Sequence, residues 1–190
     1  MENSLASCQN CLGNCCYIPK ISGFIAANLE DVRKIQTATN LKYQQFLTFR
    51  PLPNSMVQEM KDDLVDFPQR SIESALRLRL LTADNRILRI KAPRGQCYFL
   101  DEKEQCSIYE IAPGICQLYP FWYSVNQQGI SIILHEGGDY CLLSKKYHSL
   151  EELPEFETER LIKAAVSIEA GLEEYLSNVD EFVRVHKIRK

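Results

Sequence analysis

The stretch Cys8-Gln9-Asn10-Cys11-Leu12-Gly13-Asn14-Cys15-Cys16 places four cysteines within nine residues. Gly13 and Asn14 make its middle turn-prone, so the backbone can fold back and aim several sulfurs at one point. Four more cysteines follow at wider spacing: Cys97, Cys106, Cys116 and Cys141. Each lies beside an expected turn or strand end, from which a ligand can reach inward. Free cysteine is often a small buried hydrophobe, and that accounts for one or two of the eight. It does not account for the crowding at the N-terminus.

The redox setting decides how such a set is read. Met1 to Ser7 carries an acid where a signal peptide has its positive end, and no apolar run follows. No stretch approaches the roughly 20 apolar residues that a membrane span needs. The expectation is a cytoplasmic protein with reduced thiols, where clustered cysteines more often bind metal or do redox work than form disulfides. A bond between the neighbours Cys15 and Cys16 would also close a small, strained ring. Thiolates are soft ligands that suit zinc and iron–sulfur clusters. Eight of them can form two four-thiolate sites, one such site with cysteines to spare, or a multinuclear site. Adjacent side chains usually point apart, so Cys15 and Cys16 can both serve only where two metals lie close or one of the two is structural. Adjacent and surplus cysteines fit cluster chemistry better than two closed zinc tetrahedra. A 4Fe-4S cluster is the first expectation and zinc the second.

Composition narrows the class. The chain has 190 residues, 45% hydrophobic and 25% charged, as expected of one well-filled globular domain or a domain with an appendage. A net charge of -3 provides no positive field to draw nucleic acid, and the basic end at residues 186–190 is too short to change that. There is no phosphate-binding glycine loop, nucleophile elbow or dinucleotide fingerprint. His135 and His148 flank Cys141 as candidate zinc ligands, although a lone histidine is more often a satisfied surface or core group. Tyr98, Tyr109, Tyr119, Phe121, Trp122 and Tyr123 crowd the second cysteine block, where they would form a hydrophobic jacket around a metal site.

The pattern along the chain predicts an α+β fold, a small cysteine-rich domain of short helices and strands with a C-terminal amphipathic helix. Asn28 can cap a helix from Leu29, with Glu30 and Asp31 in its first turn and Val32 and Ile35 on one face. Asn40 reads as a second N-cap, opening a short helix through Phe46 and Leu47 that ends before Pro51. A helical piece is expected around Val57 to Leu64. Leu76, Leu78 and Leu80 alternate with Arg77 and Arg79, and Asp84-Asn85 suits a turn. These features predict a hairpin of strands near 75–82 and 86–92, with its arginines solvated or facing an anionic site. Gly129 to Leu134 reads as a strand, and Gly137-Gly138 turns the chain towards Cys141. Beyond Leu153 an apolar stripe of Leu161, Ala165, Ile168, Leu172, Tyr175, Val179 and Phe182 marks a helix, which Gly171 would weaken. The expected division is a cysteine domain over residues 1–150 and a helix over 151–190, packed on that domain or forming a homodimer.

These motifs resemble those of the YkgJ-type cysteine-cluster proteins, described as carrying a zinc- or iron-chelating CxxCxxxCC domain. The first motif matches at residues 8–16. The second block matches as Cys97-Tyr98-Phe99-Leu100, Cys106-Ser107-Ile108-Tyr109, Pro113-Gly114-Ile115-Cys116 and Tyr119-Pro120-Phe121, and Gly137-Gly138-Asp139-Tyr140-Cys141 matches the family's last cysteine. The resemblance covers residues 8–143 and implies that Cys8, Cys11, Cys15, Cys16, Cys97, Cys106, Cys116 and Cys141 are the metal ligands. Two departures stand out: Ala112 and Gln117 occupy positions where the family usually has arginine. Arg94, Lys91 or Lys20 could take over their charge.

Three functions are compatible with this reading. The first is a metal-binding protein whose site holds its own domain together. The second is an iron–sulfur enzyme of redox or protein lysine methyl transfer type, suggested by the similar cluster that flagellin lysine methylases look to carry. The third is a metal carrier or sensor that passes its ion to a partner.

Overall fold

The computed structural model describes residues 14–17, 24–66, 72–134, 141 and 145–188. The chain is α+β. Helix α1 (Leu29–Thr39) is followed by the single turn α2 (Tyr43–Phe46), strand β1 (Leu47–Pro51), and helices α3 (Asn54–Asp66) and α4 (Ile72–Arg79). Strand β2 (Arg86–Ile90), the short helix α5 (Gly114–Leu118), strands β3 (Phe121–Asn126) and β4 (Gly129–Leu134), and the long helix α6 (Glu155–Val185) complete the order.

Two antiparallel ribbons result. β1 pairs with β2 from Leu47↔Ile90 to Pro51↔Arg86, and β3 pairs with β4 from Phe121↔Leu134 to Asn126↔Gly129. Each ribbon lies in its own apolar core. Phe46, Leu47, Phe49, Ile87 and Leu88 are fully buried in the first, together with Val32 and Ile35 of α1. Phe121, Trp122 and Tyr123 are buried in the second, with Leu118 at the end of α5. Helix α6 runs along both. Its N-terminal half gives Leu161, Ala164, Ala165 and Ile168 to the second core, and its C-terminal half gives Leu172, Tyr175, Val179 and Phe182 to the first. The Leu88 amide donates to the Tyr175 hydroxyl at 2.9 Å, which fixes β2 to that helix.

The cap read at Asn28 is present in full. The Asn28 side chain accepts from the Asp31 amide at 2.8 Å, and the Asp31 carboxylate accepts from the Asn28 amide at 3.2 Å, a reciprocal box. The helix expected around Val57 to Leu64, the strand from Gly129 and the C-terminal helix are likewise found. The turn expected at Gly137-Gly138 lies outside the described residues.

Two expectations are corrected. The segment expected as a strand at 75–82 is helical over Ile72–Arg79. Leu76 and Leu80, four residues apart, are buried while Leu78 is only half-buried, so the helical period prevailed over the alternation. Strand β2 therefore pairs not with the 75–82 segment but with β1, within the stretch expected to be helical up to Pro51. Asn40 is the C-cap of α1 rather than an N-cap. At φ 57° it takes the left-handed conformation that ends a helix, and its amide returns to the Gln36 carbonyl at 2.8 Å. Nor do the arginines make one solvated face: Arg77 is buried over the Phe24 ring, while Arg79 pairs with Glu169 and Arg86 with Asp84.

Glycines let α6 approach closely. A Cβ on Gly171 would lie 2.9 Å from the Asn28 side-chain nitrogen, so this glycine admits the α1 cap against α6. A Cβ on Gly114 would lie 2.8 Å from Cγ1 of Ile168, and the Gly114 amide donates to the Asp31 carboxylate at 3.1 Å. Gly114→Ala should therefore lower stability by about 1–3 kcal/mol through overpacking, read from denaturant midpoints.

Asp31 is buried, and desolvation raises its carboxyl from 3.8 to about 6, against the amides of Asn28 and Gly114 and the charge of Lys34. Glu30 adds to the rise. The fold thus favours the protonated form, so this contribution is complete below about pH 3.8 and is lost as pH rises through about 6. Relative to Asp31→Asn, wild-type stability should fall between pH 4 and 7 by an amount on the order of 3 kcal/mol, measured by urea unfolding at each pH.

Candidate metal centre

The first described cysteines, Cys15 and Cys16, lie within the 3-10 turn Asn14–Cys16, after which Tyr17 forms an antiparallel bridge with Gln96. The Cys97 amide donates to the Cys16 carbonyl at 2.8 Å, so the two cysteine segments lie side by side. The Tyr17 hydroxyl donates to Glu104 at 2.5 Å and closes the same contact from its outer side. The loop from Cys97 to Cys106 is held by its own polar residues. Asp101 accepts from the Lys103 and Gln105 amides, each at 2.8 Å, and shapes the turn as a short carboxylate side chain can. Leu100 bridges Cys106, and the Ser107 amide and hydroxyl both donate to the Phe99 carbonyl. Cys116 arrives on α5, whose first amide is held by Asp31.

These elements bring five thiols into one group. Cys16 hydrogen-bonds both Cys15 and Cys97. Cys106 and Cys116 lie within electrostatic range of Cys15 and Cys97. Cys97 is buried and the other four are half-buried. Among the described residues, no three histidine, cysteine or carboxylate side chains close around an ion by themselves. Cys8 and Cys11, the other half of the N-terminal motif, lie outside the described residues.

Protonation is uneven across the group. The Cys16 thiol acts as the shared donor: its bonds to Cys15 and Cys97, then burial, hold its proton on. Cys97 falls below its ordinary value because Cys16 donates to it, with further help from the Phe99 and Leu100 amides, while burial opposes. Cys15 falls for the same first reason, with burial again opposing. Burial pushes Cys106 up to about 11 and Cys116 well above 9, with the charges of Cys97 and Cys15 adding to both. Thiolate charge on Cys15 or Cys97 would repel charge on the other sulfurs, and three of the five hold their protons more tightly than usual. A soft cation relieves that repulsion, and peptide amides aimed at sulfur support thiolate ligands. The donor set fits zinc or an iron–sulfur cluster.

Other candidates fall elsewhere. Cys141 is buried in the second core, with Trp122 and Tyr147. His148 is exposed and its amide donates to Glu152, while His135 lies outside the described residues. The aromatic jacket is split: Tyr98 packs on the first core against Phe99, whereas Phe121, Trp122 and Tyr123 fill the second. Of the basic substitutes, Arg94 is exposed, Lys91 donates to the Gln44 carbonyl, and Lys20 lies outside the described residues. The residue that sequence reading missed is Arg160 of α6. It donates to the Gln117 carbonyl at 2.8 Å, next to Cys116, while pairing with the buried Glu157 at 2.9 Å. A separation of 43 residues hides that contact from any local pattern.

No helix among the described residues is long and apolar enough to cross a membrane. No solved structure matches the chain. A family model does, over residues 7–141, well over half of the sequence. It spans seven of the cysteines outright and ends on the eighth. With the cysteine segments already seen to converge, that match settles the family: the chain belongs to the CxxCxxCC family, described as a putative zinc- or iron-chelating domain.

Proposed function

We propose that the chain is a metal-binding protein whose cysteine thiolates hold an iron–sulfur cluster, with zinc as the alternative occupant. The observation that carries this reading is the Cys15–Cys16–Cys97 thiol chain with Cys106 and Cys116 in electrostatic range. Zinc and a 4Fe-4S cluster each take four thiolates, and the adjacent and surplus cysteines are what favour the cluster. Cys8 and Cys11, from the same nine-residue motif, complete the proposed ligand pool. Cys141, within the second core, is the member of the eight whose replacement should cost least metal.

Bound there, a cluster would supply one-electron chemistry or a cross-link, and zinc a cross-link alone. The chain's own residues do the rest. The amides of Phe99 and Leu100 face the Cys97 sulfur, and the Ile108 amide faces that of Cys106. Ile108 and Phe99 are buried and exclude water from one side. Because the site joins the N-terminal motif, the 97–106 loop and α5, metal affinity becomes folding free energy. The favoured role is therefore a metal that holds the domain together.

The deciding experiment is anaerobic purification, with visible absorption and counts of iron, zinc and acid-labile sulfide per chain. Sulfide equal to iron supports the cluster, stoichiometric zinc in a colourless protein supports the alternative, and neither metal sinks both. Serine replacement of Cys16, Cys97 or Cys116 should abolish stoichiometric metal, whereas Cys141→Ser should retain most of it. Three thiols are held protonated near neutrality, so metal binding must release protons and affinity must rise with pH. Titrating zinc into weakly buffered, metal-free protein should acidify the solution at pH 7 and still at pH 9, where ordinary thiols would already be partly ionised.

A further inference from the structure

The antiparallel bridge Tyr17↔Gln96 sets a register in which the next pair is Cys16 opposite Cys97. The Cys97 amide bond to the Cys16 carbonyl, 2.8 Å, locks that pair, and the two thiols are within hydrogen-bonding reach. The two segments are joined by this single bridge, with Cys16 at the end of a 3-10 turn, and opposed residues of a hydrogen-bonded antiparallel pair have Cβ atoms towards the long end of about 4.5–5.5 Å. A disulfide needs about 3.5–4.5 Å, so an approach of roughly 1 Å between two short segments is enough. The competing pairs are worse placed. Cys15 also touches Cys16, but a bond between sequence neighbours closes a strained ring. Cys106 stands opposite Leu100, three residues beyond Cys97, and Cys116 is carried on a separate helix.

We infer that Cys16 and Cys97 are a reversible disulfide site, formed by a peroxide when metal does not engage them. The Cys97 sulfur, towards which the Cys16 thiol donates, is the better nucleophile and meets the oxidant first. It takes one oxygen from hydrogen peroxide, the O–O bond breaks, and water leaves, giving a sulfenic acid. The Cys16 sulfur then attacks the Cys97 sulfur. The S–S bond forms, the S–O bond breaks, and the oxygen departs with the Cys16 proton as a second water. Two thiols have lost two electrons and one peroxide has been reduced to two waters. A dithiol reductant reverses the bond by exchange. The site shares its cysteines with the metal centre proposed above, but it stands on the register of the Tyr17–Gln96 bridge and holds whichever metal binds there.

The test uses the full chain as purified, with metal counted, exposed to hydrogen peroxide, alkylated and digested with trypsin without reduction. Cys97 is the only cysteine in the tryptic peptide 95–103, and Cys16 falls in peptide 1–20. These two peptides should be recovered joined, lighter by two hydrogens, with fragment spectra placing the bond at Cys16 and dithiothreitol undoing it. The link should persist in Cys15→Ser and vanish in Cys16→Ser. Recovery of peptide 95–103 with Cys97 alkylated, while other cysteines are oxidised, would overturn the inference. So would a predominant Cys15–Cys16 ring or a bond from Cys97 to Cys106. A metal-free preparation that still forms the Cys16–Cys97 link supports this site and counts only against the metal reading.

Discussion

The buried carboxylate of Asp31 is where three parts of the molecule meet. One oxygen closes the capping box of α1 on the Asn28 amide, and the other takes the Gly114 amide that opens α5. Burial of an acceptor with both oxygens occupied costs less than leaving two buried amides without partners. α5 carries Cys116, so the position of that thiol is tied to the start of α1 through one side chain. Where α6 crosses these two points it presents Gly171 to Asn28 and Ile168 to Gly114, and any added methyl would force the elements apart. The cysteine group therefore rests on a polar contact in an apolar setting, not on hydrophobic packing alone.

The remaining clamps are of the same kind. Tyr17–Glu104 holds the N-terminal motif against the loop after Cys97, and Asp101 holds that loop closed on itself. Arg160 reaches from α6 to the carbonyl next to Cys116. Sulfurs gathered this way repel one another once deprotonated, and that stored repulsion is what a bound cation offsets. The same proximity that serves a metal also makes an oxidisable pair, because soft donors held in contact are chemically close to a disulfide.

The two-core arrangement bears on stability. α6 contributes to both cores, and through Tyr175 and Leu88 it also hydrogen-bonds the β1–β2 ribbon. The β1–β2 ribbon, packed between α1 and the end of α6, would be the last to open.

How much of this was legible in the sequence depends on range. The Asn28 cap, the α6 stripe, the Gly129 strand and the cysteine motifs are local patterns, set by the 3.6-residue period, the pleat or turn chemistry, and each could be read directly. Where two local patterns competed, the sequence misled. Leu76, Leu78 and Leu80 alternate like a strand, yet Leu76 and Leu80 also share one helical face, and burial of Leu76 in the second core and Leu80 in the first goes with the helix. The pairing of β1 with β2 joins residues about forty apart, and no local signal marks it. The thiol group shows the same division. Sequence supplied the eight cysteines as candidates, but only the long-range contacts Cys97–Cys16 and Asp31–Gly114 gathered five of them, and the second core took Cys141. Residue identity fixes what each side chain can do, while which side chains meet is decided by burial across the whole chain.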